Sequence, residues 1–150
     1  DLRSDLTIVA VALNPDHPDR LQVTITNQGN GPARAFWVDA YLDPSAPPEV
    51  NQSCNELGCY YDAAWLVDDL GAPESLTLTI GDGFYQGDDP SCRWPDAYAP
   101  GEHTIWAYVD SWGPDQWGGV SEMDEGNNRY GPVDFTVEAV TLSQTTQVGE

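Results

Sequence analysis

Apolar and polar residues alternate along most of this chain, and no segment sustains the 3.6-residue apolar period of an amphipathic helix. Leu21, Val23 and Ile25 fall on one side of an extended segment and Gln22, Thr24 and Thr26 on the other, as side chains on a strand must. The same pattern recurs between turn-forming clusters such as Asn14-Pro-Asp-His-Pro18, Gly29-Asn-Gly-Pro32 and Gly71-Ala-Pro-Glu74. It predicts strands over residues 6–13, 20–27, 33–43, 65–70, 75–80, 102–110 and 130–140. Short strands separated by Gly/Pro turns predict an all-β, seven-stranded sandwich of the immunoglobulin or fibronectin-III type. The first, second and fifth strands should form one sheet, and the fourth, third, sixth and seventh the other. The expected core is Leu21, Val23, Ile25, Phe36, Val38, Leu42, Leu76, Leu78, Ile80, Ile105, Val109, Phe135 and Val137. The sandwich should occupy residues 1–140, with 141–150 as a tail, a linker or a donor strand for a neighbour.

Two long insertions interrupt this scheme, over residues 44–64 and 81–101. Strand directions alternate, so both emerge at one end of the sandwich. Cys54, Cys59 and Cys92 all fall within them. Thiols in loops point to a disulfide and an oxidising compartment, whereas a zinc site is disfavoured because His17 and His103 show no ligand spacing. Cys92 bonded to Cys54 or Cys59 would tie the two insertions together; a local Cys54–Cys59 bridge is the alternative.

The aromatic residues fall unevenly on the two sheets. On the third strand Phe36, Val38, Ala40 and Leu42 form the core row, which puts Trp37, Asp39 and Tyr41 on the outside. On the sixth, Ile105, Ala107 and Val109 face inward and Trp106 and Tyr108 outward. These strands are neighbours, so Trp37, Tyr41, Trp106 and Tyr108 should share one outer face, with Trp112 and Trp117 in the loop beyond it. The opposite outer face is rich in threonine. A contiguous aromatic patch marks a partner or ligand surface unless part of the chain folds over it; an insertion carrying Trp65 or Trp94 is placed to do so.

The loop between the sixth and seventh strands carries Asp110, Asp115, Glu122, Asp124 and Glu125, then Asn127 and Asn128. Oxygen donors gathered on a loop suit a hard cation, and Asp110, Glu122 and Glu125 are the candidate ligands for Ca2+. The spacing is not that of an EF-hand, and Asp110, Asn127 and Asn128 serve equally as caps of the turn.

Composition narrows the function classes. The net charge is −20 and there is no lysine, which excludes nucleic-acid partners and disfavours anionic membranes. No apolar run is long enough for a membrane helix. Asn51-Gln-Ser53 is a glycosylation sequon, a triplet that chance often produces. The chain lacks G-x-S-x-G, HExxH and any Cys–His pairing with an orienting group, so a non-enzyme is expected.

Asp5-Leu-Thr-Ile-Val9, Val23-Thr-Ile-Thr-Asn-Gln-Gly-Asn-Gly31 and Tyr108-Val-Asp-Ser-Trp112 followed by Val120-Ser-Glu-Met-Asp-Glu-Gly-Asn-Asn128 together resemble the CARDB family, adhesion-related β-sandwich modules of prokaryotic surface proteins. The likeness runs over roughly residues 5–137. It implies a secreted or cell-surface structural module working through protein contacts, as a repeat of a larger protein or a subunit of an extracellular filament. The alternative is a carbohydrate-binding module of a secreted hydrolase that stacks sugars on Trp37, Trp106, Trp112 or Trp117.

Overall fold

The computed structural model describes residues 2–87, 93–113, 120, 122, 124 and 126–139. Its strands are β1 (Leu6–Asn14), β2 (His17–Asn27), β3 (Ala33–Leu42), β4 (Tyr61–Leu70), β5 (Ser75–Thr79), β6 (Gly101–Val109) and β7 (Arg129–Val137). They form two antiparallel sheets, ordered β1-β2-β5 and β4-β3-β6-β7, as the alternation predicts. Residues 140–150, which include the expected tail over 141–150, lie outside the described residues.

Alternation builds the core directly. Leu21, Val23 and Ile25 from one sheet meet Phe36, Val38, Ile105 and Val109 from the other, all fully buried. Thr24 and Thr26 point away and exchange hydroxyl hydrogen bonds with Thr77 (3.0 Å) and Ser75 (2.6 Å) on β5. Ala35 interrupts β3 with a φ of 50°, and the ladder skips from Arg34–Asp69 to Phe36–Val67. This kink puts both Ala33 and Phe36 on the inner face although they are three positions apart. Four core expectations are corrected in degree: Leu76, Ile80, Phe135 and Val137 are only partly buried against the core. Leu76, Phe135 and Val137 sit on β5 and β7, which are edge strands, and Ile80 follows β5.

β4 is the main correction to the element boundaries. It starts at Tyr61, and Asp62, Ala63 and Ala64 pair with Tyr41, Ala40 and Asp39. The first insertion is therefore shorter than expected, and Trp65 lies inside the sandwich, not over its outer face. Trp65 is fully buried and its indole N–H donates to the Thr79 carbonyl at 2.9 Å.

The two insertions take different paths. The segment after β5 runs along the edge of β4, where the amides of Leu66 and Gln86 donate to the carbonyls of Phe84 and Ala64. It then plugs the end of the core with Trp94 and Tyr98; Tyr98 packs edge-on against Phe135 at 4.9 Å between ring centroids. The segment between β3 and β4 turns back over the outer face of the larger sheet.

The disulfide expectation is corrected as well. Cys54 is bonded to Cys59, so neither is available to Cys92, which lies outside the described residues. A tight turn makes this pairing: the amides of Leu57 and Cys59 donate to the Cys54 carbonyl, and the two Cα atoms come within 5.1 Å.

Candidate functional site

The outer face of the larger sheet carries Trp37, Asp39 and Tyr41 from β3 and Trp106 and Tyr108 from β6, because Asp39 pairs with Tyr108 and Tyr41 with Trp106. The β3–β4 segment crosses this face and is stitched down at several points. The Tyr41 hydroxyl donates to the Gln52 carbonyl at 3.1 Å. The Asn51 amide donates to the Ser111 carbonyl, and the Asn51 side-chain oxygen accepts from the Gly113 amide at 2.9 Å. At the far side, an Arg129 guanidinium N–H reaches the Pro48 carbonyl at 3.3 Å while the group lies 5.7 Å from the Trp106 ring centre.

Coverage divides the aromatic row. Tyr41 is fully buried in a small second cluster with Cys54, Leu57 and Cys59, and Tyr108 packs on its margin. Trp37, Trp106 and Trp112 stay half-buried. The β7 backbone also shields Trp106: a Cβ on Gly131, whose φ is 144°, would fall 2.7 Å from Cε3 of the indole. Trp117 lies outside the described residues.

Beneath the segment lies a polar group that the pattern of residues did not single out. Asp39 is 1% exposed and Asp62 5%, and Ser111 is fully enclosed. The Ser111 hydroxyl donates to Asp39 Oδ1 at 2.5 Å, and Asp39 is also hydrogen-bonded to Asp62. Two carboxyl groups can share a hydrogen bond only if one carries a proton. Burial accordingly raises the Asp39 pKa, against the opposing effect of its bonds with Asp62 and Ser111. An aspartate in the middle of a central strand, flanked by aromatics in its own row, was the available signal.

The acidic end between β6 and β7 is largely occupied by the fold itself. Asp110 is buried at a φ of 61° and accepts from the Val120 amide at 3.0 Å. Glu122 accepts from the Leu6 amide at 2.5 Å and from the Asn128 side chain at 2.8 Å. Asn127 donates to Asp5 at 2.9 Å. Across from them, the Asn27 side chain donates to the carbonyls of Gly31 and Leu70 and accepts from the amides of Asp5 and Gly29. Among the described residues, no group of three or more His, Cys, Asp or Glu side chains is placed to hold a metal ion, and Glu125 lies outside them.

Among the described residues, the nearest approach to a catalytic pair is His103 with Asp43. The imidazole Nδ1 lies 2.6 Å from Asp43 Oδ2 and Nε2 lies 2.6 Å from the Ala99 carbonyl. With the ring protonated, both nitrogens donate, to the Asp43 carboxylate and the Ala99 carbonyl. Burial works against the charge, but the bonds to Ala99 and Asp43 and the carboxylate's own charge outweigh it and raise the pKa. Neither nitrogen is left over to act as a base.

These features define a two-sheet β-sandwich with a self-covered outer face. The same architecture is found in the CARDB domain of the PF1109 protein from Pyrococcus furiosus, solved in complex with di-metal ions; the match spans 92% of this chain and 96% of that one, with a TM-score of 0.55 and 21% identity. This chain has the CARDB β-sandwich fold. DesR, a β-glucosidase from Streptomyces venezuelae solved with D-glucose, is similar at a TM-score of 0.40 and 17% identity, over 89% of this chain but 15% of its own length, a likeness too loose to build on. No family model matches the sequence, and no curated protein is similar to it.

Proposed function

We propose that this chain is a non-enzymatic adhesion module that works outside the cell through protein–protein contacts, as part of a surface protein or an extracellular filament. The observation that carries this reading is the half-open tryptophan margin of the larger sheet, where Trp37, Trp106 and Trp112 remain partly accessible beside the segment that seals Tyr41. Aromatic groups of this kind dominate protein interfaces. The Cys54–Cys59 bridge supports an oxidising compartment, and the fold shared with a CARDB domain fits an interaction module. No helix among the described residues is long and apolar enough to cross a membrane. Trp106→Ala is the test. Loss of native assembly in light scattering and electron microscopy, at a melting temperature within a few degrees of wild type, supports the reading. Unchanged assembly with a lowered melting temperature rejects it.

The calcium expectation carries over as a proposal at the β6–β7 end. Asn127 Oδ1 and Asn128 Oδ1 are buried with no hydrogen-bond partner, and Asn128 is bonded to the Glu122 carboxylate. Buried amide oxygens beside a carboxylate are donors that a hard cation accepts. The PF1109 domain, with its di-metal ions, points the same way. Bound Ca2+ would tie this loop to the start of β1. A melting temperature that is the same in excess EDTA and in millimolar Ca2+ would exclude a stabilising site.

A further inference from the structure

The two insertions meet at the end of the sandwich and enclose a cleft of about 340 Å3, lined by Leu42, Tyr60, Tyr61, Pro95, Tyr98 and His103 among others. Four large apolar side chains are exposed among the described residues, and the two aromatic ones, Tyr60 at 93% and Tyr61 at 39%, are neighbours on the wall of this cleft. Tyr60 directly follows the Cys54–Cys59 bridge, so its loop is held before any ligand arrives. The opposite wall is fixed by His103, which bonds both Asp43 and the Ala99 carbonyl. Tyr98 forms part of the floor, packed on Phe135 and on Trp94.

Charge selects the ligand. When protonated, the His103 ring is matched by Asp43 at 2.6 Å, so it presents no uncompensated positive charge to the cleft. Asp96, which is exposed, lies between two lining residues, Pro95 and Ala97. The net charge of −20 adds a long-range field that draws cations and repels anions. Tyrosine faces attract the same sign through their ring quadrupoles. A neutral sugar gains nothing from this field, and a second copy of the chain approaches against it.

We propose that this cleft is a binding site for a lysine or arginine side chain of a basic segment on a partner protein, seated against Tyr60 and Tyr61. The site deepens the protein-contact reading above and rests on it for the class of partner. It is separate from the tryptophan margin, so Trp106→Ala tests that reading and leaves this cleft intact.

The test uses the full chain and three probes: a capped Gly-Arg-Gly-Lys-Gly peptide, its Gly-Glu-Gly-Glu-Gly counterpart, and cellohexaose, titrated by calorimetry and by NMR at low and physiological salt. The basic peptide is expected to bind, to shift resonances of Tyr60 and Tyr61, and to weaken as salt rises. Tyr60→Ser and Tyr61→Ser leave the net charge untouched, so general attraction to an acidic surface survives them. Each is expected to lower affinity about five-fold, the size of one exposed cation–π contact, without changing the melting temperature. Equal binding by wild type and both variants would overturn the proposal as non-specific attraction. Binding of cellohexaose or the acidic peptide in place of the basic one would overturn it equally.

Discussion

The two insertions of this sandwich leave the same end and do opposite work. The one after β5 behaves as added core: Trp94 packs on Tyr98 and Tyr98 on Phe135, and Phe84 and Tyr85 join the partly buried shell. The one between β3 and β4 covers a surface that also contains charge, and beneath it lie Asp39, Asp62 and Ser111 along with Tyr41. The first is held by burial together with backbone hydrogen bonds to the edge of β4. The second is held by a covalent bridge and by hydrogen bonds to Ser111, Gly113 and Tyr41. An apolar plug gains free energy in proportion to the area it hides, whereas a lid over carboxyl groups must offset their desolvation.

The largest expected effect falls on the plug. Trp94→Ala removes a side chain that is 5% exposed and should destabilise the fold by about 3–5 kcal/mol in urea unfolding. A change under about 1 kcal/mol would mean the segment is not core. Replacing both Cys54 and Cys59 by serine is expected to cost about 2 kcal/mol for a loop this short. Near-ultraviolet circular dichroism should show the change around Tyr41 and Tyr108, with the core signal retained.

The third prediction separates the insertions by pH. Asp39 has a raised pKa in the folded state, so its contribution is complete at pH values below the ordinary carboxylate range and is lost as pH rises through the folded value. His103 also has a raised pKa, so its contribution is complete below about pH 6.5 and is lost as pH rises through its own folded value. Stability should therefore decline in two windows as pH increases. Asp39→Asn is expected to remove the part that follows Asp39, and His103→Gln the part near and above neutrality. If both variants reproduce the wild-type profile, general repulsion among the carboxylates accounts for the decline. The smallest expected effect is on the backbone: Ala35→Gly relieves a left-handed φ of 50° and should raise stability by roughly 1 kcal/mol.

What could be read from the chain follows the same division. Sheet membership was legible because Leu21, Val23 and Ile25 alternate cleanly with Gln22, Thr24 and Thr26. The start of β4 was not, because Asp62-Ala63-Ala64 combines one charge with two small residues and gives alternation nothing to register. The outward direction of Tyr41 was legible, but its complete burial was not, since that depends on the path of residues 43–60. Cysteine spacing did not reveal the local turn that joins Cys54 to Cys59. The acidic loop showed in the sequence as a run of oxygen donors; that Glu122, Asp110 and Asn127 bond to Leu6, Val120 and Asp5 depends on the fold. The tyrosine cleft needed both insertions in place before it existed.

The bond from the Leu6 amide to Glu122 carries a mechanical meaning. Ser4 and Glu122 form an isolated parallel bridge, and Asn127 reaches Asp5 beside it. The segment entering β1 is thus clamped side by side to the segment leading into β7. If residue 3 and residue 139 are drawn apart, these contacts are loaded together in shear instead of opening one after another. Pulled between those points, the domain is expected to resist as a stiff element, and Glu122→Ala should lower its rupture force in single-molecule extension.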